Sequence, residues 1–147
     1  MKTPSVALLF CLLGLFVALA VPAAEAAEPV ALDVILVRAS EGEPLVDAGL
    51  RPYAANLQRL FRFDRYEIMA RKSVTLKSEA QVALFSDQRV QLRLDEATAS
   101  SARVELDWTR GSTRLLQTRV QLAGRLPAVL GGPRGDEGIL LLLVVRK

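Results

Sequence analysis

From Arg65 to Leu122 the chain alternates apolar and polar residues with a period of two, broken only by short gaps. In "RVQLRLD", Val90, Leu92 and Leu94 oppose Arg89, Gln91, Arg93 and Asp95. In "ARVELDWT", Val104, Leu106 and Trp108 oppose Arg103, Glu105, Asp107 and Thr109. In "TRLLQTRVQL", Leu116, Thr118, Val120 and Leu122 share one face. "RYEIMARKSVTL" and "AQVALFS" precede them, with Tyr66, Ile68 and Ala70 sharing a face. A period of two puts successive side chains on opposite faces of a strand, so each of these strands has one buried and one wet side. Parallel neighbours need crossovers of a dozen residues or more, and the gaps here are too short for that. The stretch from 65 to 122 therefore predicts an antiparallel meander of about five strands.

Two other runs lack the alternation. "VALDVILVR" is apolar on both faces after Asp33, and "ILLLLVV" has no polar residue at all. Seven residues cannot cross a bilayer as a helix. Both runs instead suit strands covered on each side, placed near the centre of a sheet and side by side. "RLPAVL" adds a short strand, and "ASEGEPLVDAG" reads as a loop.

One helix is expected after the first strand. Leu50, Tyr53, Ala54, Leu57, Leu60 and Phe61 form an apolar stripe at helical spacing, with Pro52 in the first turn. The fold class is mainly β (α+β): an antiparallel, sandwich-like sheet of about seven strands with one amphipathic helix.

The amino terminus carries its own message. Lys2 precedes the apolar run "VALLFCLLGLFVALAV", then Pro22 and Ala24-Glu25-Ala26. This order predicts a secretory signal over residues 1–26, cleaved before Ala27. An uncleaved anchor is the rival, but the run is short for a span. Residues 27–147 are expected to be one β-rich domain with no transmembrane segment after cleavage. An exported chain whose sole cysteine, Cys11, lies in the signal has no disulfide, which suits the periplasm or exterior of a bacterial envelope.

The chain contains no histidine. That removes Ser-His-Asp chemistry and imidazole metal sites, and the mature chain offers no thiolate either. No phosphate loop, dinucleotide fingerprint or nucleic-acid motif is present, so no cofactor or metal is expected and nucleic acid is not the expected partner. A Ser–Lys dyad drawn from Ser73, Ser78, Lys72 and Lys77 has no mark of activation, and adjacent Lys72 and Ser73 would face opposite ways. Glu105 and Asp107 share a strand face, the minimum for a carboxylate hydrolase, but arginines on neighbouring strands make cross-strand charge pairing the simpler account. Trp108 falls in period with Leu106 and Val104 and reads as core rather than as a surface platform for glycan.

Charge is uneven along the chain. Acids dominate from Glu28 to Leu50, and bases from Arg51 to Lys77. Arg51, Arg59, Arg62 and Arg65 are the candidate contacts for an anionic ligand or partner. "GGPRGDEG" holds Arg134-Gly135-Asp136, the tripeptide associated with integrin adhesion. It reads mainly as an eight-residue connection whose glycines permit positive φ, leaving Arg134 and Asp136 exposed. The expected function is that of a non-enzymatic accessory or interaction protein of the envelope, acting on another envelope protein through a sheet edge or the basic helix surface. The alternatives are a module for anionic glycan or lipid headgroups, and a carboxylate hydrolase.

Overall fold

A computed structural model describes residues 28–147. The expected signal and its cleavage site lie outside the described residues. Nine strands and one helical segment follow in the order β1 (Val30–Ser40), β2 (Leu45–Val46), a 3-10 turn (Ala48–Tyr53), α1 (Ala54–Phe61), β3 (Arg65–Leu76), β4 (Glu79–Ala83), β5 (Gln88–Ala97), β6 (Ser101–Arg110), β7 (Thr113–Ala123), β8 (Ala128–Gly135) and β9 (Gly138–Arg146). They form a five-stranded sheet, β2-β3-β1-β9-β8, and a four-stranded sheet, β4-β5-β6-β7.

The two sheets pack face to face, and α1 lies on the outer face of the larger one. Val34, Leu36, Leu142 and Val144 meet Val90, Leu92, Leu106 and Trp108 between the sheets. Ile35, Val37, Leu141 and Leu143 point the other way and are covered by Leu50, Leu57 and Tyr66. This explains why β1 and β9 lack alternation: each has a layer on both faces. They are also neighbours, antiparallel from Leu32 opposite Arg146 to Ala39 opposite Ile139, as their shared composition predicts.

The meander is narrower than expected. β4 to β7 pair in sequence order, but β3 belongs to the other sheet, antiparallel to β1. The chain changes sheets at Lys77-Ser78, where Ser78 accepts a backbone hydrogen bond from Leu94 at 2.8 Å. The strand count rises from about seven to nine. Leu45-Val46, in the segment read as a loop, pairs in parallel with Arg65-Tyr66, and β8 runs through most of "GGPRGDEG".

The helix is shorter than its apolar stripe. Pro52 has no N–H, and its ring opposes the carbonyl four residues back, so the segment from Ala48 takes i+3 bonding; Ala54 N–H donates to Arg51 O. Leu60, assigned to the buried stripe, is 54% exposed. Arg62 closes α1 in the left-handed conformation (φ 55°), its N–H donating to Gln58 O at 3.0 Å. Tyr66 then ties the helix to β3. Its hydroxyl donates to Leu57 O at 3.1 Å and accepts from Phe63 N–H at 3.2 Å. Burial, and the Asp64 charge after it, raise its phenol above the usual value against the pull of the Phe63 hydrogen bond.

Candidate functional site

The β8–β9 hairpin is tighter than an eight-residue connection. Gly135 pairs with Gly138, leaving Asp136 and Glu137 as the turn. Of its four glycines only Gly138 takes a positive φ (115°). There a Cβ would sit 2.0 Å from Ala39 O, so the glycine also lets β9 start against β1. Gly132 serves packing: a Cβ would lie 2.2 Å from the Trp108 ring across the sandwich. Pro133 falls where the β8–β9 register shifts between Gly131 and Arg134, a position that tolerates a missing N–H.

Trp108 is fully buried, as its period suggests, and its Nε1–H donates to Gln88 Oε1 at 3.0 Å. Gln88 is itself buried, so this bond satisfies two polar groups that water cannot reach. The indole thus forms a fixed support beneath β8.

Two clefts flank the hairpin tip. The first, of about 440 Å³, is lined by Arg38, Glu41, Phe63, Arg65 and Glu67 together with Arg134–Gly138. The second, of about 600 Å³, is lined by Met69, Phe85, Asp87, Arg110, Pro133 and the same hairpin residues. Both volumes are of the size that binds compact ligands or a few side chains. Arg38 lines both clefts and latches the tip, donating to Glu137 Oε2 at 2.8 Å and pairing with Glu67 at 3.4 Å. Phe85 is 51% exposed beside the second cleft, and the next residue, Ser86, is left-handed at φ 61°.

Charge is arranged differently on the outer face of the four-stranded sheet and at the clefts. On the outer face of the four-stranded sheet, Arg93 and Arg119 both pair with Glu105 and with Asp95, Arg114 with Asp107, and Arg103 with Glu96. Glu105 and Asp107 are thus members of a cross-strand ion lattice. At the clefts, Asp87, Arg110, Arg134 and Asp136 make no ion pair among the described residues.

The four candidate arginines divide between an exposed set on the helical segment and Arg65 on β3. Arg51 is exposed in the 3-10 turn; Arg59 and Arg62 are exposed at the end of α1, where a helix favours positive charge. Arg59 also donates to Asn56 Oδ1 at 3.0 Å. Arg65 turns inward and binds Glu43 O at 3.1 Å and Glu67 at 3.3 Å.

One cluster was not apparent from the sequence. Asp33, the only polar residue between Val30 and Val37, accepts hydrogen bonds from Ser73 Oγ (2.6 Å) and Arg71 (2.7 Å), and Lys147 Nζ lies 3.2 Å away. Burial works to raise the Asp33 carboxyl, but the bonds from Ser73, Arg71 and Lys147, with the Arg71 charge, prevail and hold it below the usual carboxylate range. Ser73 does meet a lysine, Lys147 Nζ at 3.0 Å, rather than Lys72 or Lys77. Ser73 Oγ gives its own hydrogen to Asp33 Oδ1 while accepting from Lys147 Nζ, so in this contact the lysine is the donor.

Among the described residues no cluster of three or more acids, cysteines or histidines is arranged to hold a metal ion, and no helix is long and apolar enough to cross a membrane. No family model, curated protein or solved structure matches the chain.

Proposed function

We propose that this chain is an exported, non-enzymatic interaction protein of the bacterial envelope, and that it grips another envelope protein at the clefted hairpin end. The unpaired charge there supports the reading. Among the described residues Asp87, Arg110, Arg134 and Asp136 border the two clefts without ion-pair partners, whereas on the outer face of the four-stranded sheet Arg93, Arg103, Arg114 and Arg119 are paired and Arg89 alone is not. Charges of both signs beside an exposed aromatic fit a protein surface, where an anchor residue fills a depression and flanking charges set orientation. A photo-crosslinking residue in place of Glu41, which lines the first cleft, is expected to capture one discrete envelope protein in intact cells. Capture is expected to fall sharply with Arg134→Glu and to survive Arg103→Glu. No captured protein, together with turnover of an envelope substrate by the purified chain, would overturn the proposal.

A second reading rests on Arg51, Arg59 and Arg62, which are exposed and make no ion pair among the described residues. They support binding of anionic glycan or lipid headgroups by the helical segment. Vesicles rich in anionic lipid would then bind the protein at low salt, release it at high salt, and lose it on charge reversal at Arg59 and Arg62. Binding indifferent to both would end this reading.

A further inference from the structure

An open sheet edge is a pairing template unless something blunts it, and the two sheets of the described residues have four edges. β4 is short, at five residues. β3 is covered at its start by β2, Asp47 Oδ2 takes the Ile68 N–H at 2.6 Å, and its register shifts at Met69. β8 carries Pro133 and a register shift. β7 is different. Its single irregularity falls at Leu115, between the pairs Trp108–Leu116 and Thr109–Arg114. From Leu116 to Ala123 it runs in register with β6, with no proline, glycine or lysine. Among the described residues, the only backbone bond reaching this stretch outside its ladder with β6 is Leu126 N–H to Ala123 O.

We infer that β7 pairs antiparallel with β7 of a second copy, about a two-fold axis at Val120, joining the two four-stranded sheets into one of eight. The side chains favour this register. Inward-facing Val120 would meet its own copy, and Thr118 would meet Leu122, so the face that each sandwich buries stays on the buried side. On the outer face Arg119 would meet Gln121 and Gln117 would meet Ala123. A shift that centres the axis on Arg119 would set two guanidiniums directly opposite, which is unfavourable. An isologous contact of this kind closes after two copies and leaves no growing end.

Gln121 is exposed, and the self-pairing places it against Arg119 of the other copy twice per dimer. Sedimentation of the purified protein is expected to show a concentration-dependent dimer. Gln121→Arg is expected to weaken it about tenfold and Gln121→Glu to tighten it several-fold, with the thermal midpoint of dilute monomer tracked to separate folding from pairing. No residue from Leu116 to Ala123 lines either cleft, so crosslinking at Glu41 reports on partner capture independently. A dimer whose affinity ignores both Gln121 variants would overturn the inference. So would a strict monomer whose Leu116–Ala123 amides become protected only in envelope extract, which would give the edge to another protein's strand.

Discussion

Gly132 on β8 lies against the indole of Trp108 on β6, close enough that no other residue fits between the sheets at that point. The contact joins the two sheets directly under the hairpin that borders both clefts. Gly132→Ala is expected to destabilise the fold by about 3 kcal/mol, the upper range for forcing a methyl into a packed core. Circular dichroism, which does not depend on the sole tryptophan, follows the unfolding in both backgrounds. In a Trp108→Phe background the added methyl is expected to cost markedly less, and equal costs in the two backgrounds would refute the coupling.

Gly138 and Gly124 make a matched pair. Both have positive φ, but a Cβ at Gly138 would collide with the Ala39 carbonyl, whereas at Gly124 it would meet nothing within 4 Å. Gly124→Ala is expected to lose about 1 kcal/mol, the cost of the left-handed backbone alone. Gly138→Ala is expected to abolish folding or shift the denaturant midpoint by far more.

Asp33 sets an acid limit on stability. Its carboxyl is depressed in the folded state, so its contribution is complete above the unfolded pKa of about 3.9 and is lost as pH falls through the lower folded value. Asp33→Asn is expected to cost about 2 kcal/mol at pH 7, in line with hydrogen bonds to a charged group. It is also expected to flatten the fall in stability below about pH 4. Denaturant titrations from pH 2 to 7 on both proteins check the sign.

Glu105 is expected to matter little. It sits between Arg93 and Arg119 on a wet face, where exposed pairs contribute about 0–1 kcal/mol. Glu105→Gln should move the thermal midpoint by a few degrees at most, and less in 1 M salt. A loss beyond about 2 kcal/mol would show that the lattice acts as more than a solvated coat.

The layers were legible where covering leaves a mark on composition. β1 and β9 are apolar on both faces because a sheet lies on one side and α1 on the other, and the half-wet strands β5 to β7 alternate because they have one cover. The passage from β3 to β4 was not legible, since a strand alternates in the same way whichever sheet it joins. Leu60 has the spacing of a buried residue, but the helical segment begins as a 3-10 turn, and the change of period rotates the stripe. β8 was hidden by its own glycines and proline, which signal a turn locally. Only Trp108, needing room across the sandwich, could have hinted that a glycine there belongs to a strand. Asp33 looked like an interruption because its partners stand 38, 40 and 114 residues further along the chain.

The pairing of β1 with β9 also sets an order of events during synthesis. Leu32 waits for Arg146, so the larger sheet lacks its central neighbour until nearly all of these residues have left the ribosome. Contacts of such long range close slowly. β4 to β7, paired in sequence order, can assemble while the greasy β1 still lacks a partner. A newborn chain therefore cannot close its larger sheet until β9 is made, while the smaller sheet is free to form ahead of it.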